Sequence, residues 1–207
     1  MEKTPNRAIR LLFFLFLFFI PFGMKKFLFG FPTPFANFYT LEYVSAFFYA
    51  SDILILLLFS LLIFSKPFSW HKDQLGRLKL PLVFLGVFVA VSVLSVFSAA
   101  YPAFSIYSLV RLIISILAAL SVFFVMTRGI ANLRDIAAAI AVSAVFQSIV
   151  GFLQFISGKS MGLWFLGETA FGPGTPGIAK VTVNGEQFVR AYGTMPHANI
   201  LAGFLVL

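Results

Sequence analysis

Long apolar segments alternate with short polar stretches along the chain. A helix that crosses the apolar core of a bilayer needs about 20 residues, and the first five segments approach that length. Their residues do not alternate between polar and apolar, as in the strands of a membrane barrel. The pattern predicts an all-α, polytopic helical membrane protein with about six transmembrane segments in this fragment. The segments are predicted at about 8–24, 43–64, 80–98, 104–126, 136–156 and from about 197 to 207.

Composition supports the membrane class. Sixty per cent of the residues are hydrophobic and 11% are charged, and the mean hydropathy is +1.00, a balance that excludes a soluble domain of this length. The formal net charge of +8 is typical of basic loops that anchor a membrane protein on its cytoplasmic side, so it does not indicate a nucleic-acid site. The chain has no cysteine, which excludes a disulfide and a cysteine-based metal site.

The basic residues of the predicted loops indicate the orientation. Nine lie on the side of the N-terminus and five on the other side, so the positive-inside rule places the N-terminus in the cytoplasm. The longest polar loop, at about 157–196, is then extracytoplasmic, and the sixth helix begins on that side. The nine are Lys3, Arg7, Arg10, Lys66, Lys72, Arg77, Lys79, Arg128 and Arg134, and the five are Lys25, Lys26, Lys159, Lys180 and Arg190.

The two ends of the chain carry further expectations. The first segment resembles a signal peptide, but no small-residue cleavage site follows it, so we expect an uncleaved first helix. The last segment, from His197 to Leu207, has about half the length that a crossing requires. We therefore expect residues 1–207 to be the N-terminal part of one transmembrane domain, with the chain truncated within the sixth helix.

The polar loop contains a hairpin signal. Asn184 and Gly185 stand between two β-prone runs, and this dipeptide favours the two-residue turn that joins antiparallel strands. Arg190 then lies at the end of a stiff element, directly before the sixth helix. The turn is expected to place Val183 opposite Glu186, Val181 opposite Phe188, and Ala179 opposite Arg190.

The start of the sixth helix carries the polar constellation of the chain. Thr194 or Asn199 is predicted as the N-cap, with Pro196 in the first turn. The free N–H groups of a helix start and the guanidinium of Arg190 suit phosphate oxygens, and His197 can donate a hydrogen bond or move a proton. Arg190, Thr194, His197 and Asn199 are therefore predicted to bind a phosphorylated ligand at the outer membrane–water boundary.

Arg190 and His197 also have simpler interpretations. Arg190 could anchor to lipid headgroups, and His197 could be a capping or packing residue.

Arg111, near the middle of the fourth segment, is an intramembrane charge, which is costly and usually functional. Asp52, near the outer end of the second segment, is its candidate partner. Arg111 forms a structural ion pair, lines the interior of the helix bundle, or is part of the wall of a lipid-phosphate groove.

Two glutamines in the fifth segment form a second polar pattern. Gln147 and Gln154 lie seven residues apart, and therefore on one face of a helix. They either line a polar groove or hold helices together, and the second interpretation is favoured.

At these residues the chain resembles a known family. The stretch RAYGTMPHANILAGFL resembles the arginine–glycine–threonine, histidine–proline–asparagine and leucine–alanine signature of the O-antigen ligase and polymerase family, and YASDILILLLFSLLIF is similar to that family's early serine–aspartate helix. Ala198 stands where the family commonly has proline. The resemblance implies a bacterial membrane enzyme, in the cytoplasmic membrane, that uses no cofactor. Its donor is an undecaprenyl-pyrophosphate-linked glycan, transferred to a lipid, glycan or protein acceptor on the outer side.

The resemblance also implies roles for residues. Arg190 matches the family arginine that binds the donor pyrophosphate. The family's catalytic histidine and a second arginine lie in a later outer loop, which is expected beyond Leu207, so His197 is not that histidine. The alternative functions are a polysaccharide polymerase or protein oligosaccharyltransferase of the same family, a transporter of polysaccharide precursors, and a non-catalytic membrane scaffold.

Overall fold

A computed structural model describes residues 4–31, 44–65 and 72–206 of the 207-residue chain. Within these ranges the protein is mostly helical, with two short strand pairs and one 3₁₀ turn at Trp164–Leu166. Tyr43 and Leu207, the predicted start of the second segment and end of the sixth, lie outside the described residues. The helices are α1 Thr4–Phe19, α2 Ala50–Ser65, α3 Lys72–Phe97, α4 Pro102–Thr127, α5 Leu133–Ser157 and α6 Ala198–Leu205, and the strands are β1 Lys25–Gly30, β2 Ser45–Tyr49, β3 Lys180–Val183 and β4 Glu186–Val189.

In the described part of the chain, three helices are long and apolar enough to cross a membrane: α3 from Lys79 onward, α4 and α5. Each of the six predicted segments contains a helix, but α1 and α2 have only 16 residues each. At 1.5 Å per residue they measure about 24 Å, short of the roughly 30 Å of the hydrocarbon core. The prediction of a mostly helical protein with helices that can cross a membrane is therefore confirmed, whereas six crossings are not supported by the described residues.

The strand pair β1–β2 was not predicted, and it explains in part why α2 is shorter than the predicted second segment. A backbone hydrogen bond from Phe31 to Val44 (2.7 Å) lies at one end of the pair, and one from Ala50 to Met24 (3.0 Å) lies at the other, so the strands run in opposite directions. Their sequences, KKFLFG and SAFFY, are rich in aromatic residues, which suit a strand as well as an apolar helix. The predicted second segment began too early because its first residues belong to β2.

The chain divides into two compact units. One comprises Met1–Lys26, Tyr49–Leu54 and Val125–Leu207, and the other comprises Phe27–Phe48 and Ile55–Phe124. The first unit holds α1, α5, the α5–α6 loop (residues 158–197) and α6. The second holds α3, most of α2 and most of α4. All four residues of the predicted ligand site belong to the first unit.

In the first unit, α1 packs along α5. Near the start of α5, Arg10 makes an ion pair with Asp135 (3.2 Å), and eight residues further along each helix the buried hydroxyl of Ser143 donates to the carbonyl of Phe18 (2.8 Å). From the first contact to the second, the residue number increases by eight on both helices, so the two helices run in the same direction. The first and fifth segments of a chain that crosses a membrane alternately have this relation.

Candidate functional site

The predicted hairpin is confirmed. Strands β3 and β4 pair in antiparallel orientation, with Val183 opposite Glu186 and Val181 opposite Phe188. Asn184 and Gly185 both have positive φ, at 53° and 86°, as a two-residue turn of this kind requires. The pairing extends to the predicted third position. There, the N–H of Arg190 donates to the carbonyl of Ala179 (3.0 Å).

A small apolar core fixes the segment that carries Arg190. Val189, directly before it, and Tyr192, two residues after it, are 5% and 2% exposed and pack with Phe171 and Ala198. The phenolic oxygen of Tyr192 also accepts from the N–H of Ala179 (2.8 Å). The backbone around Arg190 is therefore held by packing and by hydrogen bonds before any ligand arrives.

The guanidinium of Arg190 is available to a ligand. The residue is half-buried, and its backbone N–H is used by the hairpin. Among the described residues its side chain makes no hydrogen bond and no ion pair, and the nearby Glu186 is exposed without an ion pair. A guanidinium has five N–H donors in a planar arrangement that matches two phosphate oxygens.

The start of α6 lies where it was predicted, but its cap is a different residue. His197 is the N-cap, with extended backbone angles, and its Nδ1 accepts from the N–H of Asn199 (3.1 Å). The predictions of Thr194 or Asn199 as the N-cap and of Pro196 in the first turn are wrong. A ring nitrogen takes the place of the usual side-chain oxygen, and Pro196 precedes the cap. Asn199 lies in the first turn and is exposed.

Replacing His197 tests this cap. His197→Asn should keep the helix start, because asparagine is a favoured N-cap, whereas His197→Ala should lower the free energy of unfolding by about 1 kcal/mol. Hydrogen exchange at the amides of Asn199 and Ile200 reports the local effect. If both variants exchange equally fast, the edge-on contact of the imidazole with the ring of Tyr192 (centroids 5.8 Å apart) is the stabilising feature, and the cap is not.

Thr194 lies beneath the surface, not on it. It is fully buried, and its backbone N–H and its hydroxyl both bond to one glutamine. Its N–H donates to Oε1 of Gln147 (2.9 Å), and its hydroxyl accepts from Nε2 of Gln147 (2.7 Å). In this conformation Thr194 positions the turn before α6 and does not face a ligand.

Gln154, seven residues or about two turns further along α5, holds the same segment before α6. Its Oε1 accepts from the N–H groups of Tyr192 (3.0 Å) and Gly193 (2.8 Å), and its Nε2 donates to the carbonyl of Gly193 and to Glu168 (2.8 Å each). The two glutamines therefore share one face of α5, as predicted. They hold a loop against a helix, which neither of the two interpretations described.

Glu168 completes the network and was missed by sequence reasoning. It is buried, and its carboxylate accepts from the N–H groups of Met161 and Leu163 (2.5 Å each) as well as from Gln154. Within the described ranges it makes no ion pair. A lone acidic residue in an otherwise glycine-rich and apolar stretch was the available signal, since a carboxylate there needs several donors.

The secondary candidates are Asp52 and Arg111. Asp52 is buried, and its Oδ2 accepts from the N–H of Tyr49 (2.9 Å) at the start of α2, where a carboxylate is favourable. Arg111 is half-buried in α4. The two residues fall in different compact units, and the predicted ion pair between them stays a prediction.

Comparison with known proteins does not assign the chain to a family. The chain matches no family model, no curated protein and no solved structure. The resemblance of residues 190–205 to the O-antigen ligase and polymerase family therefore remains a prediction, and the function is argued from the site itself.

Proposed function

We propose that the protein binds an undecaprenyl-pyrophosphate-linked glycan and belongs to a membrane enzyme that transfers this glycan to an acceptor, as an O-antigen ligase does. The observation that carries the proposal is the guanidinium of Arg190, which has no partner among the described residues. Its backbone is held by packing and by the hairpin, in the segment that leads into α6. A pyrophosphate supplies the two neighbouring oxygens that such a group binds.

The other residues of the helix start would add neutral donors. Because Nδ1 of His197 accepts from the backbone, a neutral ring carries its proton on Nε2, and the ring is exposed. The exposed side-chain amide of Asn199 is two residues further along the chain. Both groups can donate to phosphate oxygens, while buried Thr194 supports them through Gln147.

The transfer itself is a substitution at the anomeric carbon. An acceptor oxygen forms a bond to that carbon, the bond to the pyrophosphate oxygen breaks, and the leaving group keeps the electron pair. The acceptor proton passes to a base, which the family resemblance places in a later loop. Negative charge grows on the departing phosphate, and a fixed cationic donor such as Arg190 lowers this barrier by a few kcal/mol.

This proposal includes a topology. The protein would lie in the bacterial cytoplasmic membrane with its N-terminus in the cytoplasm and the α5–α6 loop on the outer face, with six segments reaching into the bilayer. The parallel run of α1 and α5 supports alternate crossing. The excess of basic residues in the loops on the N-terminal side supports the orientation.

Binding of undecaprenyl pyrophosphate by the chain in lipid nanodiscs tests the site. Arg190→Ala should weaken binding about tenfold to a hundredfold, because a hydrogen bond to a charged group contributes roughly 1.5–3 kcal/mol. The affinity of Arg190→Lys should lie between those of the wild type and Arg190→Ala, since lysine keeps the charge and loses the planar pair of donors. Lys180→Ala, an exposed cation on the same hairpin, should bind as the wild type does.

Two results would contradict the proposal. Unchanged affinity of Arg190→Ala would remove Arg190 from the site. Equal binding of undecaprenyl pyrophosphate and of an ordinary anionic phospholipid would instead make Arg190 a headgroup anchor. In a transfer assay with lipid-linked glycan, the Arg190→Ala rate should fall with the affinity, while the Lys180→Ala rate should not.

A further inference from the structure

The 3₁₀ turn at Trp164–Leu166 presents two large aromatic rings outward. Trp164 is 77% exposed and Phe165 is 58% exposed, and their rings meet edge to face with centroids 6.0 Å apart. The flanking residues Leu163 and Leu166 are half-buried beneath them. Two adjacent aromatic side chains with this much exposure form an apolar patch that is unfavourable in water.

Hydrogen bonds hold this turn in a defined shape. The N–H of Leu166 donates to the carbonyl of Leu163 (2.8 Å), and the N–H of Gly167 donates to that of Trp164 (3.0 Å). The carboxylate of Glu168 also accepts from the N–H of Leu163. The aromatic patch is therefore part of a defined structural element. Hydrogen bonds of the backbone and of Glu168 order this turn, and the two rings do not contribute to them.

The turn lies at the end of a spanning helix. Glu168 bonds to Gln154 in the last turn of α5 (2.8 Å), and α5, which is long and apolar enough to cross a membrane, ends at Ser157. Phe155 and Ile156, next to this end, are also exposed. The level at which a spanning helix ends is the level of the lipid headgroups and the upper acyl chains.

The chemistry of the patch fits that level. An indole ring is apolar with one N–H donor, and tryptophan is enriched where hydrocarbon meets water. Exposed Lys159, two residues after α5, adds attraction to anionic headgroups. We propose that Trp164 and Phe165 insert into the headgroup–acyl boundary of the bilayer and anchor the α5–α6 loop on the membrane surface.

The anchor has a consequence for the ligand site, which rests on the proposed function. Gln154 bonds both to Glu168, which shapes the aromatic turn, and to Gly193, three residues after Arg190. The depth of the aromatic turn therefore fixes the depth of Arg190. A cationic group held at headgroup level would meet the phosphate of a lipid-linked donor and not that of a soluble sugar nucleotide.

Fluorescence of Trp164 tests the anchor without any donor. The chain has two tryptophans, so Trp70→Phe leaves Trp164 as the reporter in liposomes of neutral and anionic phospholipid. We expect blue-shifted emission that loses most of its intensity when the lipids carry bromine near the glycerol end of the acyl chain, and less when bromine is near the methyl end. Aqueous acrylamide should quench it weakly.

Controls separate the possible outcomes. Adding Phe165→Ser to the Trp70→Phe chain should shift the emission to the red and reduce quenching by brominated lipid, with an unchanged helical circular dichroism spectrum. Strong quenching by acrylamide and none by brominated lipid would place the turn in water and overturn the proposal. Quenching by neither reagent would show that protein covers the turn, which overturns it as well. The binding assay with undecaprenyl pyrophosphate tests the ligand site separately, so failure of the anchor and failure of the proposed function can be distinguished.

Discussion

Replacing Gln154 with leucine should lower the free energy of unfolding by about 3–5 kcal/mol. Leucine has a similar volume but no polar atoms, so three groups of the turn before α6 lose their partner: the N–H of Tyr192, and the N–H and carbonyl of Gly193. Glu168 loses a donor at the same time. Each buried polar group left without a partner costs about 1–3 kcal/mol, and part of this is recovered if water enters.

Unfolding in mixed micelles with increasing denaturing detergent measures this loss. The matched control is Gln187→Leu, the same substitution at an exposed position of β4, which should change the free energy of unfolding by less than about 0.5 kcal/mol. Hydrogen exchange should accelerate at Tyr192 and Gly193 in Gln154→Leu and remain slow in the first half of α5. Equal unfolding of both variants would show that the network does not stabilise the loop.

The hairpin could be predicted from sequence because its information is local. Asn184 and Gly185 tolerate positive φ, and two adjacent residues of that kind between β-prone runs leave few other structures. The register of the hairpin then gave the position of Arg190 opposite Ala179. The availability of its guanidinium could also be anticipated in part, since the acidic residues near it in sequence are few.

The parts that failed depend on contacts between distant residues. Aromatic segments such as SAFFY suit a membrane helix and a strand equally, so the local sequence did not indicate the pairing of β1 with β2. The described residues accordingly do not support six crossings. Thr194 was placed on the ligand side, although Gln147, 47 residues earlier in the chain, buries it. The role of Glu168 likewise depends on Gln154, 14 residues earlier and on another element.

A glycine-to-alanine change at Gly167 should have a comparable effect, for a steric reason. Gly167 has φ +89°, and a Cβ there would overlap the backbone of Gly23 and Met24, which leads away from α1. Backbone atoms cannot move aside as the end of a side chain can, so the α5–α6 loop would have to separate from the end of α1. We expect a loss of about 3–5 kcal/mol, at the level of severe overpacking together with backbone strain.

Two other glycines of the same loop separate these causes. Gly177 has φ +75° with open space around a Cβ, and Gly172 has open space without a positive φ. Gly177→Ala should therefore cost only about 1 kcal/mol of strain, and Gly172→Ala should be neutral or slightly stabilising, because alanine restricts the unfolded chain. The same detergent titration ranks all three. If Gly167→Ala loses no more than Gly177→Ala, the close approach of the two backbones does not stabilise the loop. The loop is then held by Gln147 and Gln154 of α5 and by the hydrogen bond from the N–H of Gly23 to the carbonyl of Thr194 (3.3 Å).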